Sequence, residues 1–295
     1  MCRSKELGGR RCPSHTDPAK QSVYNARRRE LYAQRKQAHN ISFLNYNTAK
    51  PWLNEDDDAY KTFVEEADAF ARKVNPNINT TQWDDDEMIY MEPVTDEQDA
   101  LIQYSGDGYE NINQYLRAGQ PKTDVEQTFK VKFDEYRSAA ENANLVKNID
   151  SALLKAIPSE KPRVLYRSIR VPRGVPSSQA SQWLRENFSV GSVVSNPGYM
   201  SVSLNAGLAN SIFGESSTQQ TAITMEILSK KGAPLGAGMS KTAYSETELL
   251  LPRDVKLKVV SLEEDVDYTV MFRNKEKTTK RTVIRLIDEN DEGEN

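Results

Sequence analysis

The chain has 295 residues, 37% of them hydrophobic and 28% charged, with a formal net charge of −4. Such a length supports one large domain, or a domain with a smaller appended segment, and no apolar run is long enough to span a bilayer. Both cysteines and both histidines (Cys2, Cys12, His15 and His39) fall at the start of the chain, so the remainder can hold no Cys/His or Ser/His/Asp catalytic set.

Charge is unevenly spread. Residues 1–40 hold ten Lys/Arg against three Asp/Glu, and the rest holds 29 against 40. This asymmetry marks residues 1–50 as a basic arm, partly disordered and partly helical over Gln21 to His39. The arm either stays solvated or meets nucleic acid or another acidic partner. Met1-Cys2-Arg3-Ser4-Lys5-Glu6 is followed by no apolar segment, so a secretory signal is not expected. The protein is expected to be cytoplasmic as synthesised, with any export or injection by a route that reads no N-terminal signal. Cys12-x-x-His15 has a usable zinc spacing, and Cys2 and His39 make up a four-ligand set, but no second tight pair exists. A zinc module and a flexible arm with free thiols both stay open.

Asn45 to Trp52 reads as a linker around Pro51. Asp57 to Val74 places Tyr60, Phe63, Val64, Ala67 and Phe70 at helical spacing. Trp83 to Glu87 is an acidic loop, read as a solvated face rather than a metal site. Thr95 is an N-cap with Gln98 as its reciprocal partner, opening a helix that runs to Tyr104. Gly106-Asp107-Gly108 breaks it, and Tyr109 to Ala118 is a short amphipathic helix stopped by Gly119. Further helices are predicted over Val125 to Tyr136 and Asn144 to Ile157, the last ended by Pro158.

After Pro162 the pattern changes. Val164 to Val171 alternates as a strand. A helix at Gln179 to Asn187 precedes short strands at Val193-Val194, Gly198 to Ser203, Thr221 to Leu228, Leu249 to Leu251 and Val255 to Ser261. Tyr268 to Arg273 and Thr282 to Ile287 read as the arms of a hairpin, and Asp288 to Asn295 as an acidic, disordered tail. Helices first and strands later argue for an α+β fold.

Two familiar motifs fail. Gly106-Asp107-Gly108 follows a helix and lacks the third glycine of a dinucleotide fingerprint. Gly236 to Thr242 has no glycine directly before Lys241, so it reads as a mobile glycine loop rather than a phosphate loop. Glu246 and Glu248 stand two apart before Leu249-Leu250-Leu251-Pro252. As strand residues they would share a face, and paired carboxylates can run glycosidic chemistry without histidine, cysteine or metal. The same spacing also arises at a solvated strand end in an acidic chain.

Three islands follow in order: Tyr166-Arg167-Ser168, then Ser201-Val202-Ser203, then Glu246-Thr247-Glu248. This order resembles the mono-ADP-ribosyltransferases whose signature is Arg, Ser-x-Ser and Glu-x-Glu, among them the enzymatic components of clostridial binary toxins and related bacterial and phage enzymes. Tyr109 to Arg117, Asn148 to Ile157 and Leu250 to Arg253 fit the same pattern, so the resemblance covers residues 85–265. It implies a catalytic domain over 51–287, with an ADP-ribosyltransferase-like two-sheet β core, an NAD cleft between the sheets, and helices before it.

The resemblance further implies that Arg167 holds an NAD phosphate, with Ser168 beside it. Ser201 would orient Glu248, and Ser203 would support that strand or the nicotinamide pocket. Tyr199 and Phe213 are candidates for packing on NAD, or else simple core. Glu248 would stabilise the ribosyl cation, Glu246 would activate the acceptor, and Tyr244 would contact the protein substrate. A Glu at 246 goes with arginine acceptors in this family. Val202 stands where Thr is common, and Ser168 where Gly often follows the arginine. The implied activity is ADP-ribose transfer from NAD to an arginine of a target protein. The alternatives are an NAD glycohydrolase and a non-catalytic nucleic-acid-binding protein that uses the basic arm.

Overall fold

The computed structural model describes residues 57–78, 95–120, 128–130, 136–172, 174–212, 222–240, 245–272 and 275–291. The basic arm, the zinc candidates Cys2, Cys12, His15 and His39, the acidic loop at 83–87, Phe213 and Tyr244 lie outside them.

Helix α1 (Asp58–Val74) forms because Phe63, Ala67, Phe70, Ala71 and Val74 recur on one buried face. Helix α2 (Asp96–Gln103) starts at Thr95, whose side chain accepts the Gln98 amide. Only half of the expected capping box is present. The Gln98 side chain turns away, donating to the Gly238 carbonyl at 3.0 Å and accepting from Asn75 at 2.9 Å. A wide turn over Tyr104–Gly108, kinked at Gly106, leads into α3 (Tyr109–Arg117).

Two short strands, β1 (Thr128–Lys130) and β2 (Tyr136–Ser138), pair antiparallel. They replace the helix expected over 125–136: the segment's apolar residues are too sparse to favour a helix over local pairing. Helix α4 (Ala139–Leu153) begins earlier than its apolar pattern suggests. Ser138 and Glu141 form a reciprocal capping box that fixes its start, and Leu154 to Ile157 lie beyond its end.

The remaining elements are β3 (Arg163–Arg170), α5 (Ala180–Asn187), β4 (Val193–Ser195), β5 (Met200–Ser203), α6 (Ala206–Ile212), β6 (Ala222–Ser229), β7 (Ala233–Pro234), β8 (Glu248–Leu251), β9 (Lys256–Phe272) and β10 (Lys275–Asp288). Eight strands form one mixed sheet in the order β4-β9-β10-β6-β3-β5-β8-β7. Among the described residues, only β6 and β10 pair in parallel. The fold is α+β, with the helices of the first half packed on this sheet. A hairpin is present as β9 and β10, but the two predicted arms do not face each other: Tyr268 to Phe272 pair with Lys275 to Thr279, and Val283 to Ile287 pair with Lys258 to Glu263, whose start the sequence reads as a separate strand. The predicted acidic tail starts too early: Asp288 is fully buried, accepting from Ser229 and pairing with Lys231, and Asp291 accepts the Lys230 amide.

One feature of the sheet positions the site. Strand β3 pairs with β6 along eight residue pairs, but with β5 through Tyr166 and Ser203 alone. The two halves of the sheet therefore diverge between β3 and β5. The two expected sheets are joined at this single point, and a cleft opens beside it.

Of the glycine loop expected over Gly236 to Thr242, residues 236–240 form a buried turn, and Lys241 and Thr242 lie outside the described residues. All five residues are buried. Gly238 has φ +75°, and a Cβ there would lie 2.4 Å from Ile78 Cδ1. Left-handed backbone and lack of space both demand glycine. Gly238→Ala is expected to destabilise the chain by about 2–4 kcal/mol, read as a lower urea midpoint with an unchanged slope.

Candidate active site

A cavity of about 460 Å³ occupies the cleft between β3 and β5, a size suited to a small-molecule site. Arg167, Ser168, Ser201, Ser203, Glu246 and Glu248 all line it. Residues from three distant parts of the sequence thus meet in one place. A larger cavity, about 570 Å³, lies at the end of α4. Its cations are already committed, Arg253 to Asp150 and Lys231 to Asp288, and no pair of carboxylates converges there without a basic partner.

Arg167 points from β3 into the cleft, and its Nη1 donates to the Ser201 carbonyl. Burial pulls its pKa below the ordinary guanidinium value, and nearby Arg117 adds to this, while Tyr104, Glu248 and Tyr109 oppose it. The group stays cationic, because a guanidinium starts from above about 12. A desolvated guanidinium, with five N–H donors in a planar fork, suits a phosphate. Ser168, next along the strand, donates to the Ile223 carbonyl at 3.2 Å and accepts from Arg281 at 3.4 Å. Its hydroxyl ties β3 to its neighbours as well as facing the cleft.

The two glutamates share the cavity for a different reason from strand alternation. Glu248 is the first residue of β8, whereas Glu246 belongs to the turn before it. Thr247 between them has φ +43°, a conformation that costs a non-glycine residue about 1 kcal/mol. Ser203 holds this turn. Its hydroxyl donates to the Glu246 carbonyl at 2.8 Å, lies 3.0 Å from Thr247 Oγ1 and accepts the Asn205 amide at 2.9 Å. The Leu204 amide donates to the Thr247 carbonyl at 3.2 Å. Ser203 thus acts on the backbone that aims the glutamates.

Glu248 is 7% exposed. Burial raises its pKa to about 7, the Ser201 hydroxyl opposes this, Glu246 adds to it, and Arg167 and Ser240 oppose it. The β5–β8 register pairs Ser203 with Glu248 and Ser201 with Leu250, so Ser201 and Glu248 are diagonal neighbours across the strands. Val202, between the serines, packs into the core, so the missing threonine leaves the catalytic face unchanged.

Of the two readings open for Tyr199, cofactor wall or core, the structure has it as core. It is fully buried, and its hydroxyl donates to Asp150 at 2.7 Å and lies 3.0 Å from the Val146 carbonyl on α4. It touches the site only through Tyr104, ring edge to face at 5.6 Å. The aromatics that do line the cleft are Tyr166 on β3 and, missed by the sequence reading, Tyr104 and Tyr109, which flank the kinked Gly106 turn. The Tyr104 hydroxyl accepts from Asn113 at 3.1 Å. The sequence signal for them is two tyrosines bracketing a helix break, but nothing local ties that break to strands a hundred residues away.

Among the described residues no group of three or more His, Cys, Asp or Glu is arranged to hold a metal, and no helix is long and apolar enough to cross a membrane.

A family model described as ADP-ribosyltransferase exoenzyme matches residues 80–288. No curated protein sequence matches the chain. Among solved structures, an ADP-ribosyltransferase of Clostridium botulinum is similar at 15% identity, covering 80% of this chain and 96% of that one, with a TM-score of 0.47. Exoenzyme S of Pseudomonas aeruginosa, solved with human 14-3-3 protein beta and bound to carba-NAD, is 17% identical, covering 79% and 90%, with a TM-score of 0.47. The Vis toxin, an ADP-ribosyltransferase from Vibrio splendidus, is 20% identical, covering 83% and 89%, with a TM-score of 0.44.

Proposed function

The chain belongs to the ADP-ribosyltransferase exoenzyme family, and from that premise we propose that it transfers the ADP-ribose of NAD to an arginine side chain of a target protein. NAD is the co-substrate that this family consumes. The observation that supports the reading most is the cleft itself, in which Glu246 and Glu248 line the same cavity as Arg167.

The chemistry follows from the residue types. Arg167, desolvated and always charged, is the partner for a phosphate of NAD. Tyr104 and Tyr109 offer ring surface to a flat heterocycle. The bond that breaks joins C1′ of the ribose to the nicotinamide nitrogen, and its electron pair leaves with nicotinamide, which departs neutral. No general acid is needed. What needs help is the positive charge that develops on the ribose, and a fixed carboxylate in a dry cleft stabilises it without reorganisation. Glu248, held by Ser201, takes that role.

A guanidino nitrogen of the acceptor then forms the new bond to C1′. A protonated guanidinium is a poor nucleophile, so a base must take a proton as the bond forms. Glu246 is less buried than Glu248 and lies on the turn, within reach of a side chain entering from solvent. It takes that role. Ser168 supports the phosphate-binding strand, and Ser203 supports the glutamate turn. Phe213 and Tyr244 remain as proposed contacts to NAD and to the target protein.

Incubation with NAD and agmatine, a free guanidine, tests the reading by mass spectrometry. ADP-ribosyl-agmatine together with nicotinamide is the expected outcome. Free ADP-ribose and nicotinamide, with no adduct at any agmatine concentration, would leave the arginine reading without support and favour hydrolysis.

A further inference from the structure

Strand β5 carries one wall of the cleft, yet its start is held by the sheet on one side only. Among the described residues, β5 pairs with β8 along Met200 to Ser203 but with β3 at Ser203 alone. The Ser201 carbonyl accepts from Arg167 across the gap, and Ser203 pins the glutamate turn. Strand pairing therefore leaves the distance between β3 and the start of β5 unset, although two site residues depend on it.

Helix α4 holds what the sheet does not. Tyr199, fully buried just before β5, donates its hydroxyl to Asp150 Oδ1 at 2.7 Å and lies 3.0 Å from the Val146 carbonyl, one helical turn away. The same carboxylate takes Arg253, two residues beyond β8. Arg253 Nε lies 3.2 and 3.0 Å from its two oxygens, and Nη2 lies 2.9 Å from Oδ2. Such a forked ion pair fixes direction as well as distance. One carboxylate thus joins the start of β5 to the end of β8. The Asp254 amide, donating to the Asn196 carbonyl at 2.9 Å, ties the same two stretches of chain.

The next residue of α4 reaches the opposite wall. Ser151 donates to Glu97 at 2.6 Å, and Lys155 pairs with Glu97 as well. Glu97 lies in the first turn of α2, which leads into Tyr104 on the cleft wall. The Tyr199 and Tyr104 rings meet edge to face at 5.6 Å. Consecutive residues of one helix therefore hold both the β5 side and the tyrosine side of the cleft.

Building on the catalytic reading of this cleft, we propose that Asp150 is a positioning residue that sets the width of the cleft from behind, through Tyr199 and Arg253. Neither Asp150 nor Tyr199 lines the catalytic cavity, so their effect reaches the reaction through β5, β8 and Tyr104. Rate is sensitive to such placement: a shift of about 1 Å remote from the chemistry can cost about 10²-fold.

The kcat and KM for NAD consumption, measured per folded molecule and well below the Tm, test the proposal in wild type, Tyr199→Phe, Asp150→Ala and the double variant. Tyr199→Phe keeps the ring and removes only the hydroxyl. It is expected to lower kcat about tenfold, with KM for NAD changed less than about threefold. Asp150→Ala is expected to lower kcat at least as far, and the double variant no further than Asp150→Ala, because both changes break one clamp. A wild-type kcat in Tyr199→Phe with only a lower Tm, losses that multiply in the double variant, or a KM that rises in step with the fall in kcat would overturn it. Asp150→Asn takes the place of the alanine variant if that chain does not fold.

The ¹H–¹⁵N signal of Arg167 Nε, assigned by its absence in Arg167→Lys, reads the gap without turnover, because Arg167 spans it to the Ser201 carbonyl. A shifted signal in Tyr199→Phe supports the clamp, and an unchanged signal removes it. If the wild type consumes no NAD, the catalytic reading falls, while this signal still decides whether α4 sets the gap.

Discussion

Glu248→Gln is expected to lower kcat about 10³-fold for both ADP-ribosyl-agmatine formation and NAD hydrolysis, with KM for NAD changed less than about threefold. The carboxylate faces a charge that exists only as the glycosidic bond breaks. Its removal therefore costs the transition state and spares the bound ground state. The amide keeps the size of the side chain and can still form hydrogen bonds, so collapse of the cleft does not account for the loss. A KM that rises as steeply as kcat falls would make Glu248 a binding residue and sink the assignment.

The same residue fixes a pH dependence. Only ionised Glu248 can stabilise the cation, and its pKa is about 7. Activity is expected to rise with pH through that value, with a single-proton slope. Stability runs the other way. The folded pKa lies above the usual glutamate value, so folding binds this proton more tightly. The stabilising contribution is full below pH 4.5 and is lost as pH rises through about 7. At pH 8 the charged, buried carboxylate costs up to about 3 kcal/mol, and Glu248→Gln is expected to recover part of that as a higher Tm. An active site that is less stable when charged and more active when charged is the usual compromise at a functional carboxylate.

How far the sequence discloses such a site depends on how local its determinants are. Arg167, Ser201 and Glu248 each belong to a short strand with its own apolar signature, and their order along the chain is enough to group them. The strand character of β9 and β10 shows in alternating segments, although their pairing does not, and α1 shows in its repeated apolar face. Other features rest on pairings between distant residues. The single β3–β5 contact at Tyr166 and Ser203 makes the cleft, and no periodicity reveals where two strands part.

Tyr199 has the composition of a cofactor wall, but α4 supplies Asp150 for its hydroxyl and turns it into core. Residues 236–240 have the composition of a flexible loop. They are buried instead, and their Gly238 carbonyl accepts from Gln98, a residue about 140 positions earlier that the capping pattern assigns to a helix start. The Asp288 carboxylate resembles part of a solvated tail until Lys231 and Ser229 are brought against it. In each case a long-range polar partner overrides the local pattern, and polar partners leave no periodic trace.

Glu246→Gln is expected to separate the two halves of the reaction. Formation of ADP-ribosyl-agmatine should fall about 10²–10³-fold, while NAD hydrolysis stays within about threefold of wild type. The reasoning rests on where the two carboxylates sit. Glu248 is buried and shares the cavity with Arg167, where bond breaking needs it. Glu246 is on the turn pinned by Ser203, only partly buried, where an incoming guanidinium would arrive. Water needs no strong base to capture a ribosyl cation, but a protonated guanidinium does. An amide at 246 still accepts a hydrogen bond from the acceptor, but it cannot take the proton.

Removing one of two neighbouring negative charges also relieves repulsion on Glu248, so the acidic limb of the hydrolysis profile should move to lower pH in Glu246→Gln. That shift separates the proposed role from simple disruption of the turn, which would lower hydrolysis and transfer together. Equal loss of both activities would place Glu246 with Glu248 in bond breaking. Retention of full transfer would mean that the acceptor is deprotonated by another group, or is not an arginine.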